Sequence, residues 1–214
     1  MRKVFVAWTL CLGVLAGGAL LLCAGDQCIL GNLDHIGLGV AHDLRGVTLD
    51  HLMTGITWLG SLALLLPFTG FLAWVLVRRG RRQEAGFALL ALLGSSGLSH
   101  LTKLWAMRPR PDLYLTTAEM PGDWSYPSAH SMQISAAVLA LFLVAGQGRR
   151  IPLALMLVLV VSLVGFSRVY LQVHFPSDVL AGLFAGAFWV YGLHALIFSA
   201  RIQNDQGTAT GGRT

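Results

Sequence analysis

Ser167-Arg168-Val169-Tyr170-Leu171-Gln172-Val173-His174-Phe175-Pro176-Ser177-Asp178 joins two long apolar runs, 151–170 and 177–199, and sets an arginine, a histidine and a carboxylate at their junction. Ionisable groups at a bilayer edge are expensive unless paired, hydrated or functional, so such a cluster demands a reason. The flanking runs each approach the roughly 20 residues that a hydrocarbon core about 30 Å thick requires of a helix. Further runs of the same character lie upstream, at 4–23, 52–77, 85–104 and 128–145. With 55% hydrophobic residues, 12% charged and a mean hydropathy of +0.68, the chain of 214 residues is too apolar for an ordinary soluble domain. The runs are continuous rather than alternating, which favours helices over a barrel. The sequence therefore predicts an all-α fold, a bundle of six transmembrane helices with polar loops at one membrane boundary.

Basic residues orient this bundle, because Lys and Arg in short loops favour the cytoplasmic side. Arg2 and Lys3, then Arg78, Arg79, Arg81 and Arg82, then Arg149 and Arg150, then Arg201 all fall on one side of a six-span arrangement. Both termini are thus expected in the cytoplasm. Arg45, Lys103, Arg108, Arg110 and Arg168 are left on the opposite side. A basic face toward anionic inner-leaflet lipid accounts for the net charge of +5 without a nucleic-acid partner. Residues 1–200 are read as one integral membrane domain and 201–214, polar and glycine-rich, as a disordered cytoplasmic tail. Arg2-Lys3 before an apolar run would suit a cleaved leader, but the run has span length and no clean small-residue cleavage site, so it is read as a retained first span.

Several features have plain structural readings. Cys11 lies inside the first span, while Cys23 and Cys28 flank its outer end and offer weak support for a disulfide. His35, His42 and His51 are spaced by seven and nine residues, which does not gather three ligands on one helical face; they are read as interfacial polar residues in an outer loop that includes a short amphipathic helix. Pro67 is expected to kink the second span. Ala181, Gly182, Ala185 and Gly186 predict close helix contact within the bundle.

Three polar stretches converge on the outer face: Lys103-Leu104-Trp105-Ala106-Met107-Arg108-Pro109-Arg110-Pro111, Tyr126-Pro127-Ser128-Ala129-His130, and the opening Ser167-to-Asp178 segment. Lys103, Arg110 and Arg168 offer the fixed positive charge that a phosphoryl group requires as charge shifts among its oxygens. Ser128 brings a hydroxyl and opens a helix whose free N–H groups suit an anion. His130 and His174 can divide nucleophile and general acid between them, with Asp178 one helical turn from His174 to hold one ring nitrogen. Glu119, Asp123, Trp124 and Tyr126 stand where they would shape the entrance, or serve as interfacial anchors.

These stretches resemble the three motifs of the type 2 phosphatidic acid phosphatase superfamily, which includes bacterial membrane lipid phosphatases and soluble vanadium haloperoxidases. Lys, six residues, Arg-Pro is met by Lys103 with Arg110-Pro111. Pro-Ser-Gly-His is met by Pro127, Ser128 and His130, with Ala129 in place of the glycine. Ser-Arg, five residues, His, three residues, Asp is met by Ser167, Arg168, His174 and Asp178. The resemblance covers about residues 101–182, and the six-span layout extends it to most of the chain. It implies that His174 attacks phosphorus and forms a phosphohistidine, that Asp178 orients it, and that His130 protonates the leaving oxygen and then activates water. Lys103, Arg110, Ser128, Ala129 and Arg168 would hold the phosphate. Arg108, in an Arg-Pro pair two residues early, is a candidate for a further substrate contact or for a headgroup contact. Ala129 would strain the cradle only if the backbone there needs a glycine-only geometry.

The resemblance further implies no metal and no cofactor, since basic side chains supply the charge that a metal supplies elsewhere. It places the site on the periplasmic side of a bacterial inner membrane, acting on a lipid such as undecaprenyl pyrophosphate or phosphatidylglycerol phosphate. Rival readings are a phosphotransferase that passes the phosphoryl group to another lipid such as lipid A, a haloperoxidase, which six spans disfavour, and a non-catalytic lipid transporter or scaffold, which the two histidines disfavour. The oligomeric state is not legible.

Overall fold

Apolar runs of this length fold as helices because no water is available to satisfy a bare backbone, and the computed structural model, which describes residues 1–21, 29–114, 120–145 and 150–210, is helical with no strand among them. Cys23, Cys28, Glu119 and Arg149 lie outside the described residues. The helices are α1 (Arg2–Leu21), α2 (Ile29–Asp43), α3 (Val47–Thr57), α4 (Leu62–Arg78), α5 (Arg82–Ala106), α6 (Ala129–Val144), α7 (Arg150–Tyr170) and α8 (Pro176–Thr210). By length and composition, α1, α5, residues 151–170 of α7 and residues 176–198 of α8 can each cross a membrane. The backbone of α8 continues as helix through residue 200, where a tail was expected to begin.

The remaining two apolar runs depart from simple spans. The second is split into α3 and α4, which meet at 45°. The break is at Ser61 and not at Pro67, which sits inside α4. Ser61 is extended (φ −71°, ψ 137°) and its hydroxyl caps α4 by accepting from the Ala63 N–H at 3.2 Å. Gly60 allows the bend to press inward, because a Cβ there would lie 2.6 Å from Val164 Cγ1 and 3.1 Å from the His130 carbonyl oxygen. The other, α6, has 16 residues, about 24 Å at 1.5 Å per residue.

Helix α6 is the axis of the bundle and packs against α5, α7 and α8. Residues Ser131 to Ala136 are buried all the way round, so this half of the helix has no solvent or lipid face to give it an amphipathic stripe. Its closest neighbour is α8. A Cβ at Gly182 would fall 2.6 Å from the Ser128 carbonyl oxygen, so only glycine permits the two backbones to meet there. This contact also brings the Ser128 N–H to the Asp178 carbonyl at 3.1 Å, joining the second and third polar stretches. At the far end of the bundle, Arg81 donates to Glu84 and to the Val144 carbonyl (2.7 Å), which ties the arginine-rich α4–α5 turn to the end of α6.

The connection between the first two apolar runs is helical over most of residues 29–50. Beyond the short amphipathic helix expected there, α2 and α3 form two helices, and α2 buries Leu38, Ala41 and Asp34 against the rest of the molecule. His42 stacks on Tyr114 with ring centres 4.1 Å apart, and His51 Nδ1 bonds the Val47 carbonyl at 2.7 Å.

Candidate active site

The chain ends of α5, α6, α7 and α8 meet at one end of the bundle, and each contributes its share of charge. Lys103 occupies the last turn of α5, where Met107 stops the helix in a left-handed conformation (φ 46°) and donates its N–H to the Lys103 carbonyl at 3.0 Å. That reversal aims Arg108 and Arg110 back across the bundle end. Helix α7 ends in a similar way at Gln172 (φ 59°), a buried residue whose amide donates to the Leu38 carbonyl at 3.0 Å. Non-glycine residues rarely adopt this conformation, and the side-chain anchor on α2 helps to hold it. The following N–H groups of Val173 and His174 donate to the Arg168 carbonyl at 3.2 and 3.3 Å, so the turn delivers His174 beside Arg168. Pro176 then begins α8, where its missing N–H is harmless.

Lys103, Arg110, His130, Arg168 and His174 line a single cavity of about 340 Å³, together with Ala129 and Asp123. Lys103 is almost wholly buried; its ammonium pairs with the Asp123 carboxylate at 3.1 Å and donates to the Trp124 carbonyl. Arg110 also pairs with Asp123, and its Nη1 donates to the Val173 carbonyl at 2.5 Å and to His174 Nε2 at 3.2 Å. Arg168 donates to Thr57 Oγ1 at 2.7 Å and keeps a buried Nε with no partner. An orphaned buried donor is costly and marks a place for an incoming acceptor. Three cations against one carboxylate leave this wall with an excess of positive charge, which suits a phosphate dianion. Burial would raise the Asp123 carboxyl, but Lys103 and Arg110 outweigh it and hold it at about 2.

His174 is buried, 1% exposed, and its surroundings fix both its charge and its tautomer. Burial, reinforced by Arg168, Arg110, Lys103 and His130, pushes the imidazole well below its ordinary value, so the ring is neutral. Nε2 accepts from Arg110, which assigns the ring proton to Nδ1. Nδ1 faces the Ser125 hydroxyl at 3.3 Å and Asp178 Oδ2 at 3.5 Å. Ser125 donates to that same Oδ2 at 2.5 Å, and the Phe175 N–H donates to it at 3.0 Å. A neutral ring, protonated on the side away from the cavity and held by a fully buried carboxylate, turns its Nε2 lone pair toward the cavity wall, where Arg110 donates to it.

Two expected ligands stand differently from the rest. Ser128 is buried and caps α6, its oxygen accepting from the Ser131 hydroxyl at 2.9 Å, and it does not line the cavity. Arg108 also lies off the cavity wall, paired with Asp34 at 2.7 Å and Asp178 at 2.5 Å. Ala129 is the first residue of α6 and is not among the positive-φ positions, so no glycine-only geometry is required of it. Tyr126 is buried and donates to the Val14 carbonyl of α1 at 2.7 Å, so it anchors the loop instead of lining the entrance. Ser125 and the pairing of Asp34 escaped the sequence reading. A lone serine in a polar loop carries no spacing signal, and Asp34 is one of several acidic residues upstream.

Comparison with known proteins finds relatives along most of the chain. A sequence profile described as PAP2 superfamily matches residues 84–202. Phosphatidylglycerophosphatase B of Bacillus subtilis is 36% identical over 158 residues, covering 67% of this chain and 72% of its own. An undecaprenyl-diphosphatase of Sulfolobus acidocaldarius is 26% identical over 194 residues, 89% of each chain. The crystal structure of a transmembrane PAP2 type phosphatidylglycerolphosphate phosphatase from Bacillus subtilis superposes with a TM-score of 0.73 at 28% identity, covering 92% of this chain and 96% of that one.

Proposed function

The chain belongs to the PAP2 superfamily, and on that premise we propose that it is a membrane lipid phosphatase working through a phosphohistidine at His174. The observation that carries this reading is the neutral, buried His174, backed by Asp178 and opening onto a cavity walled by Lys103, Arg110 and Arg168. The lipid phosphate displaces Asp123 from Lys103 and Arg110, draws Arg110 off His174 Nε2 so that its lone pair is free, and takes the unpaired Nε of Arg168, while the N–H groups at the start of α6, Ala129 among them, add their dipole. Ser128 secures that helix start. His174 Nε2 then forms a bond to phosphorus as the bond from phosphorus to the lipid oxygen breaks, and His130, which takes up a proton from solvent as the phosphate's negative charge enters beside it, delivers that proton to the departing oxygen. In the second half His130 takes a proton from water, the water oxygen attacks phosphorus, the P–N bond breaks and phosphate leaves. The basic wall supplies the charge stabilisation, so the step is metal-independent.

Six spans with both termini in the cytoplasm follow if the bent pair α3–α4 and the short α6 each cross, and the site then faces the periplasm. Residues 201–214 form a cytoplasmic extension of the membrane domain. The substrate is phosphatidylglycerol phosphate or undecaprenyl pyrophosphate, the classes named for two relatives. The test is a phosphate-release assay of the purified protein on both lipids in detergent, with labelled substrate and acid-labile trapping of the intermediate. Wild type should release phosphate and carry label, with or without chelator, and His174→Ala should do neither while remaining folded. Turnover in His174→Ala would remove it as nucleophile, and loss of activity in chelator restored by magnesium would remove metal independence.

A further inference from the structure

Behind His174 the structure holds more than one carboxylate. Arg108 Nη1 donates to Asp178 Oδ1 at 2.5 Å and to Ser177 Oγ at 2.8 Å, and its Nη2 donates to Asp34 Oδ2 at 2.7 Å. The guanidinium lies 3.9 Å from the centre of the Phe175 ring. The Arg108 carbonyl accepts from the Ser125 N–H at 2.9 Å, and Ser125 is the residue that donates to Asp178 Oδ2. Asp34, in α2, also accepts from the Ser177 N–H at 2.8 Å and hydroxyl at 2.6 Å. Asp34 is 2% exposed and Asp178 0%, so both carboxylates are out of water.

The charge arithmetic gives the arrangement its point. A carboxylate steadies a histidine in proportion to the negative charge it presents as that ring gains positive charge. Arg108 alone would cancel Asp178 and leave a neutral buried pair. With Asp34 the guanidinium is shared between two carboxylates, and the trio keeps one net negative charge beside His174.

We propose that Asp34 and Arg108 are positioning residues for the nucleophile: Arg108 locks Asp178 and Ser125 so that Asp178 Oδ2 faces His174 Nδ1, and Asp34 restores the negative charge that stabilises His174 as it becomes a cationic phosphoimidazole. The inference rests on His174 being the nucleophile. It also gives Arg108 a place other than the substrate, since both its Nη atoms are engaged and it does not line the cavity.

The test compares Asp34→Asn, Asp34→Glu and Arg108→Lys with wild type and His174→Ala. Single-turnover phosphorylation with labelled lipid phosphate is measured alongside KM and the inhibition constant of inorganic phosphate. Asp34→Asn should slow phosphorylation about ten- to hundredfold, the scale on which partners one step behind a reacting ligand act. KM and phosphate inhibition should hold, because Lys103, Arg110 and Arg168 are untouched. Arg108→Lys, which cannot bridge all its partners, should lose more in the same step. Asp34→Glu keeps the charge and should phosphorylate faster than Asp34→Asn; this ordering carries the test if Asp34→Asn folds poorly. Wild-type phosphorylation by Asp34→Asn, no advantage of Glu over Asn, or a loss confined to KM and phosphate affinity would each overturn the proposal. Turnover by His174→Ala would instead remove the nucleophile assignment on which it stands.

Discussion

Asp123 occupies the two cations that the proposed reaction needs for phosphate. Its carboxylate sits on Lys103 and Arg110, so a bound lipid phosphate competes with a tethered anion. Asp123→Asn should therefore lower KM, by about three- to tenfold for exchange of a half-exposed ion pair, and leave the phosphorylation rate much less affected. Steady-state kinetics on the preferred lipid check this, and a raised KM would show that Asp123 helps substrate to bind. The pH dependence has a definite sign. A carboxyl held at about 2 contributes its stabilisation above the ordinary carboxylate value near 3.8, and loses it only as pH falls through about 2. Mild acid, down to about pH 4, should thus relieve none of the competition, and the KM advantage of Asp123→Asn should be constant from pH 8 to that limit. His130, His174, Lys103, Arg110 and Arg168 were legible in the sequence because their spacing is a family pattern. Ser125 was not legible, since its meaning comes from standing between Asp178 and His174 and from nothing adjacent in the chain.

At the scale of elements, the contact of α6 with α8 sets the registry of the second and third motifs. Gly182→Val would push a branched side chain into the Ser128 carbonyl, and overpacking of this kind costs about 1–3 kcal/mol. It would also part the Ser128 N–H from the Asp178 carbonyl. The expected result is a lower melting temperature in detergent and a loss of phosphate release in molecules that remain folded. Wild-type activity would mean that the contact does not govern the site. The small residues of α8 announced this contact in the sequence. The break of the second span did not announce itself in the same way: proline is the usual sign of a kink, yet α4 accommodates Pro67 and the chain bends at Ser61. What decides the bend is the space that Gly60 leaves against Val164 and His130, and both of those neighbours lie on other helices.

For the whole molecule, the proposed topology has the arginine-rich turn in the cytoplasm and the cavity outside, as the positive-inside rule expects. Single cysteines at Gly80 and Asp112, both exposed and at opposite ends of the bundle, test this in a background lacking the native cysteines. A membrane-impermeant maleimide applied to intact cells should label Asp112→Cys and spare Gly80→Cys; the reverse would invert the topology. Amino-acid composition and run length alone determined that this chain crosses membranes as helices, because the bilayer imposes one local rule on every span. The spacing of three short motifs likewise determined which residues gather at one boundary. Only the tertiary structure decided that Arg108 turns away from the cavity, toward Asp178 and Asp34, partners 70 and 74 residues distant in the chain. Helical periodicity orders neighbours within a turn or two, whereas the direction of a charged side chain at a helix end is set by whichever buried opposite charge the packing of the other helices brings within reach.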